Sequence, residues 1–199
     1  MNAMNEPVVY LVRHGETAWS VSGQHTGLTD LPLTERGRTN AARLGLRLKA
    51  LTLAKVFTSP LQRAIQTCEI AGFNQQAGTD PDLVEWNYGK YEGRTTAEIR
   101  AERPDWQLFR DGCPGGESPA EISARADRVA SRLRTVQGNA LVFSSGHFLQ
   151  MLAARWLGIE PANGRFFPLS TASLSALGYE HGRGEPVIRL WNDDHHIEK

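Results

Sequence analysis

A short apolar run, Val8-Val9-Tyr10-Leu11-Val12, delivers Arg13 and His14 directly onto Gly15, with Glu16 and Thr17 behind it. Neighbouring residues of a regular strand point to opposite faces, so Arg13 and His14 can converge on one ligand only where the backbone leaves the strand. Gly15 is expected to permit that departure through its conformational freedom. A guanidinium matches phosphate geometry with two hydrogen bonds, and an imidazole is a nucleophile that is largely neutral near pH 7. The pair therefore suits phosphoryl transfer. Alone, it is also compatible with a chance tripeptide at a strand end.

Two further places carry matching chemistry. Arg63 falls about one turn into a helical segment that follows the apolar run Lys55 to Phe57, near the positive end of that helix. Ser145, Gly146 and His147 follow the run Ala140 to Phe143. In open α/β sheets ligands bind beyond the carboxyl ends of strands, where helix N-termini also point. Three strand exits thus place anion-binding or titratable groups at one edge, which chance explains poorly.

The elements needed to build that edge are legible in outline. Strand-like runs alternate with longer segments of helical period, the pattern of a sheet with helices packed on it. Thr34 is expected to cap a helix running to about Ala50. Ser59-Pro60-Leu61-Gln62 offers an N-cap serine, a proline at the first helical position and a capping-box glutamine, and Ser118-Pro119-Ala120-Glu121 repeats it with glutamate. The second of these helices presents Ile122, Ala126, Val129 and Leu133 on one stripe, and its Arg125, Arg128 and Arg132 are read as a solvated face. Phe148 to Leu157 forms another helix, stopped by Gly158. From about Ser170 to Leu190 the alternation suggests one or two more strands.

Composition sets the outer limits. With 199 residues and 40% hydrophobic content the chain can bury one complete core. Twenty-two basic and twenty-two acidic residues cancel, so no overall field favours nucleic acid or an anionic membrane, and any anion site is local. No apolar run approaches a membrane span, and Met1 to Glu6 lacks the features of a secretory signal, so a cytoplasmic location is expected. Cys68 and Cys113 lie outside any metal-ligand spacing and read as free thiols. The terminal Asp193, Asp194, His195 and His196 read as a polar tail rather than metal ligands, and no metal or cofactor is expected.

Taken in order, Arg13-His14-Gly15-Glu16-Thr17, Thr26-Gly27-Leu28-Thr29-Asp30-Leu31-Pro32-Leu33-Thr34, Thr58-Ser59-Pro60-Leu61-Gln62-Arg63-Ala64, Leu83-Val84-Glu85-Trp86-Asn87-Tyr88-Gly89 and Tyr91-Glu92-Gly93 resemble the histidine phosphatase superfamily, whose fold is phosphoglycerate mutase-like. The likeness covers most of the chain. Thr26 to Asp30 and the segment Trp106 to Cys113 are most similar to the branch that contains sedoheptulose-1,7-bisphosphatase and its bacterial relatives. The resemblance implies a three-layer α/β/α sandwich, one domain over residues 1–199, with a small inserted lid at about 90–117. It implies that His14 is the nucleophile, that Arg13 and Arg63 bind phosphate and that Glu85 is the proton donor. Ser20, Thr26 and Gly27 fall where the family lines its pocket.

The residue chemistry supports these roles. Guanidinium charges beside His14 oppose its protonation and balance charge on the transferred phosphoryl oxygens. Glu85, flanked by Leu83, Val84 and Trp86, is expected to lie part-buried against aromatic surface and to hold a proton, whereas without the resemblance an exposed loop carboxylate is the better reading. One position departs from the family, which has a second histidine just before Gly146 where this chain has Ser145. A hydroxyl cannot supply an imidazolium charge, so turnover is expected to be weakened. His147 is expected to support or pack, and Gln150 stands where an arginine is usual. His25 is either a rim residue touching substrate or a solvent-facing loop histidine. Gly112-Cys113-Pro114-Gly115-Gly116 reads as a lid or rim, and Trp106, Phe109 and Arg110 either choose substrate or pack the insert.

The leading reading is a cofactor-independent hydrolase of small phosphomonoesters, sugar phosphates or bisphosphates above all, acting through phosphohistidine. A mutase is the alternative; such enzymes are longer and carry an adjacent arginine pair, whereas Lys90 to Gly116 has Arg94, Arg100, Arg103 and Arg110 with no two adjacent. A phosphate-ligand-binding protein that has lost catalysis is the third reading, set against the retention of both His14 and Glu85. The sequence leaves oligomeric state open.

Overall fold

The computed structural model describes residues 6–197, so most of the Met1 to Glu6 stretch lies outside the described residues. Six strands form one sheet: β1 (Val9–Arg13), β2 (Lys55–Thr58), β3 (Ala77–Thr79), β4 (Ala140–Ser144), β5 (Leu174–Tyr179) and β6 (Pro186–Asp193). Their spatial order is β3-β2-β4-β1-β5-β6. The first four are parallel, β5 runs antiparallel to β1, and β6 is antiparallel to β5. The parallel centre explains β4, whose five residues are all buried: both faces are covered, so the strand reads as a continuous apolar run.

Alternation along the strands divides the core into two layers. Val12, Val56, Leu141 and Phe143 face Leu44 and Leu48 of α2 (Glu35–Leu48) and Cys68 of α3 (Gln62–Ile70). Val9, Leu11, Ala140 and Val142 face the other way, onto α6 (Pro119–Thr135) and α7 (Gly146–Trp156). Helices on both faces make the three-layer sandwich expected from the sequence. Between β3 and α6 the chain adds two short helices, α4 (Thr96–Glu102) and α5 (Leu108–Asp111), while α1 (Ala18–Ser22) follows β1. Trp106, Leu108 and Phe109 of this inserted stretch are buried in the larger core layer.

Several element starts match the capping chemistry. Thr34 caps α2 by accepting from the Gly37 amide, and Ser118 with Glu121 forms a capping box on α6. The Ser59 expectation is corrected: α3 begins at Gln62, and no side chain within the segment caps it. Instead Asp30, far away in sequence, accepts from the Gln62 amide at 2.8 Å. A second correction concerns Arg125, which is buried rather than solvated. Arg128 and Arg132 do face outward, where they pair with Asp80 and Asp82. β3, too short to show alternation, escaped the sequence reading. Among the described residues both cysteines are free and buried, no cluster could hold a metal ion, and no helix is long and apolar enough to cross a membrane.

Candidate active site

The carboxyl ends of β1, β2 and β4 lie side by side, with Arg13 paired to Ser144 and Thr58 to Phe143 in the parallel register. His14 follows immediately, its amide bonded to the Ser144 carbonyl at 2.9 Å. Its own carbonyl accepts from the Ala172 amide at 3.0 Å, so backbone from β4 and from the turn that precedes β5 fixes it. Gly15 serves close approach rather than the conformational freedom expected of it. A Cβ there would sit 2.7 Å from the Gly37 carbonyl oxygen, and one on Gly37 only 2.3 Å from that of Glu16. Two glycines thus let the chain after β1 lie directly on α2.

His14 is 4% exposed. A carbonyl can only accept, so the 2.7 Å contact between His14 Nδ1 and the Gly15 oxygen places the ring proton on Nδ1. Nε2 keeps its lone pair. Burial first, and then the charges of Arg63 and Arg13, hold the imidazole pKa well below the usual histidine range.

The two arginines are held differently. Arg13 donates to the Leu169 carbonyl and lies flat over Gly146, where a Cβ would stand 3.2 Å from its Nε. Arg63 sits at the second residue of α3, closer to the helix end than expected, and is fully buried. Its guanidinium donates to the carbonyls of Thr26, Gly27 and Thr29 at 3.1, 2.8 and 3.0 Å. The Nε of each arginine is buried with no partner. Buried donors are ordinarily satisfied, so a pair of idle guanidinium N–H groups flanking a neutral imidazole is an arrangement made for an acceptor.

Glu85 is 5% exposed, packed under the first turn of α7. Its Oε1 accepts from the amides of Trp86 at 2.9 Å and Phe148 at 2.7 Å, and its Oε2 from that of His147 at 3.0 Å. Arg125 holds the backbone leading to it, donating to the carbonyls of Asp82, Val84 and Glu85 while its fork grips Glu117. Nothing local to α6 distinguishes Arg125 from its exposed neighbours, so the sequence hid this contact.

Arg13, His14, Ser20, Thr26, Glu85, Gly146 and His147 line a single cavity of about 240 Å³. Three expected residues stand behind its wall. Gly27 has its amide on Glu92, and a Cβ there would lie 2.6 Å from both a Glu92 oxygen and the Trp86 carbonyl. Arg63 is tied to the 26–29 loop as described, and Ser145 is fully buried, 3.5 Å from an Arg63 nitrogen. The Ser20 hydroxyl is engaged in the capping box of α1 with Thr17.

The wall also holds residues the sequence left open or missed, notably His25, Tyr88 and Gln150. His25 is buried, its ring 4.7 Å from that of Tyr88 and 5.7 Å from that of Trp106, and burial lowers its pKa to about 4. The Tyr88 hydroxyl lies 2.5 Å from His147 Nδ1. Burial keeps that phenol protonated by raising its pKa well above the usual value, and burial lowers His147 to about 3. The phenol and the imidazole Nδ1 therefore share one hydrogen bond at the cavity wall. Tyr88 was available in the motif around Glu85, but only the fold sets it against position 147.

Comparison with known proteins adds independent support. The family model for the histidine phosphatase superfamily (branch 1) matches residues 9–194. An acid phosphatase of Mycobacterium tuberculosis is 44% identical over 178 residues, covering 86% of each chain. The sedoheptulose 1,7-bisphosphatase of Saccharomyces cerevisiae is 39% identical over 186 residues, 77% of this chain and 68% of that protein. The solved structure of an open reading frame product from M. tuberculosis superposes with a TM-score of 0.90 at 39% identity, covering 95% of this chain and 99% of the other.

Proposed function

The chain belongs to the histidine phosphatase superfamily, and on that footing we propose that it hydrolyses small phosphomonoesters, sugar phosphates above all, through a phosphohistidine formed at His14. The observation that carries this reading is the state of His14: a neutral ring with its proton fixed on Nδ1, between two buried guanidinium groups whose Nε donors are idle.

In the first step Nε2 attacks phosphorus and the bond to the ester oxygen breaks. Arg13 and Arg63 balance charge on the phosphoryl oxygens, Arg13 from the cavity wall and Arg63 from behind it. Glu85 gives its proton to the leaving oxygen. Oε2, with one backbone hydrogen bond against two at Oε1, is the oxygen free to carry that proton. The Nδ1 proton, still held by the Gly15 carbonyl, leaves the ring positive and a good leaving group. In the second step water attacks phosphorus, Glu85 takes its proton, the P–N bond breaks and phosphate departs. With the Tyr88 phenol donating to its Nδ1, His147 carries its proton on Nε2 in this mechanism and offers it to a phosphoryl oxygen from the cavity wall, a neutral donor where Ser145, behind the wall, offers none.

p-Nitrophenyl phosphate assayed across pH 5 to 8 tests this reading. The parent protein is expected to release phosphate slowly, and Ser145→His to do so faster by roughly 10². His14→Ala is expected to abolish acid-labile phosphate labelling. No turnover in either active form, or labelling that survives loss of His14, rejects the proposal.

A further inference from the structure

In sequence Asp193 to His196 read as a polar tail, but the fold puts them to use. β6 ends at Asp193, and the chain beyond it returns against residues 168–173, the segment that leads into β5. On one side this segment meets the phosphoryl site. The Leu169 carbonyl accepts from the Arg13 guanidinium, the Ser173 carbonyl from the Arg13 amide at 3.3 Å, and the Ala172 amide donates to the His14 carbonyl at 3.0 Å. On the other side three side chains near the C-terminus hold it. Trp191 Nε1 donates to the Pro168 carbonyl at 2.9 Å, Asn192 Oδ1 accepts from the Ser170 amide at 2.6 Å, and His196 Nε2 meets the Ala172 carbonyl at 2.8 Å.

The two sides meet at Ala172. It is fully buried with a φ of 57°, in the left-handed region that residues other than glycine rarely enter, so its conformation persists only where the surroundings enforce it. His14 holds its amide and His196 its carbonyl. The His196 ring in turn has one permitted state. A carbonyl can only accept and a guanidinium can only donate, so Nε2 carries the proton and Nδ1 receives the Arg47 hydrogen bond at 3.0 Å. Burial lowers the His196 pKa, in keeping with a neutral ring. Arg47, in the last turn of α2, is anchored through its other terminal nitrogen to Asp193, whose second oxygen lies 2.7 Å from His195 Nδ1. Hydrogen bonds therefore run without a break from the end of α2, through His196 and Ala172, to the backbone of His14.

We propose that His196, oriented by Arg47, is a positioning residue for the phosphoryl site: it fixes Ala172 and, through it, the backbone of His14. It does not line the cavity and takes no part in proton transfer. This rests on the hydrolase reading above and adds to it a residue far from the motifs at the strand ends. Attack by His14 Nε2 needs the ring in line with the bond to the leaving oxygen, so a small shift of its backbone lowers turnover.

Three variants test it. His196→Phe keeps a ring and removes both nitrogens. His196→Gln presents an amide donor and a carbonyl acceptor at the spacing of the two ring nitrogens, and Arg47→Met removes the guanidinium behind the ring. Hydrolysis of p-nitrophenyl phosphate is measured per folded molecule, well below each unfolding midpoint, together with the NMR resonances of the His14 ring nitrogens. His196→Phe is expected to lower kcat roughly tenfold, on a scale where a misplacement of about 1 Å costs about 10²-fold, and to shift the His14 resonances. His196→Gln is expected to recover most of that loss and to return the resonances toward those of the parent. Arg47→Met is expected to lose less than His196→Phe, and the two together no more than His196→Phe alone, since they act along one path. A His196 that only supports the fold lowers the unfolding midpoint but leaves kcat per folded molecule and the His14 resonances unmoved, and that result overturns the proposal. A Gln variant no better than the Phe variant overturns it too. If His196→Phe does not fold, Arg47→Met carries the test, and unmoved resonances with an unchanged kcat overturn the proposal. A parent that hydrolyses no ester overturns the hydrolase reading, and the resonances then decide the link by themselves: shifted in the Phe variant and restored in the Gln variant, they sustain it, and unmoved they refute it.

Discussion

On the proposed mechanism, His14 is prepared for attack by two influences of opposite kind. The Gly15 carbonyl fixes which nitrogen carries the proton, while burial and two guanidinium charges keep a second proton off. Since protonation is opposed, the ring should stay neutral well below pH 6.5. Two-dimensional NMR of the His14 ring nitrogens is expected to show no titration between pH 8 and 5.5; a midpoint near 6.5 would contradict this account. His147 reaches the same neutral state through burial first and the charge of Arg13 second. Of these residues, His14 was legible because Arg-His-Gly at a strand end is local chemistry. Ser145 was legible as a departure from the family but not as a group behind the wall, because exposure to a cavity depends on neighbours remote in sequence.

The helices do more than cover the sheet. α7 supplies two amides to Glu85 from its first turn, and α6 reaches across with Arg125 to hold the carbonyls of Asp82, Val84 and Glu85. Arg125→Met would leave those carbonyls unsatisfied and strip the Glu117 carboxylate of its buried partner. Removing one member of such a pair costs roughly 3–5 kcal/mol, so urea unfolding is expected to show a large loss of stability. Arg125→Lys keeps the charge without the fork and is expected to lose less stability while still lowering kcat, through a displaced Glu85. An unchanged unfolding midpoint and kcat in both variants would deny Arg125 this part. Ser118 and Thr34 were readable as caps because their partners lie three residues away. The cap of α3 was not, since Asp30 lies across a loop.

Across the molecule, the imidazoles of His14 and His25, buried, and of His147, half-buried, are gathered at one cavity, and this couples stability to acidity. His14, His25 and His147 are all held neutral in the fold, with His25 lowered to about 4 and His147 to about 3. In the unfolded chain each binds a proton near pH 6.5, so below that pH the unfolded state takes up protons that the native state refuses. Stability is therefore fully present above about pH 6.5 and falls as the pH drops toward 4, with His25 alone contributing about 3 kcal/mol of the loss. Chemical denaturation at pH 7 and pH 4.5 is expected to show it, and a flat profile over that window would refute it. What the sequence determined by itself was whatever rests on short-range pattern: strands such as β4, the amphipathic stripe of α6, the caps next to their helices, and the Arg13-His14-Gly15 exit. Tertiary structure alone decided which side chains meet. It placed Tyr88 on His147, Arg125 under Glu85, Asp30 on α3, and Gly15 against Gly37, because contacts across a parallel sheet join residues tens of positions apart and leave no periodic trace in the chain.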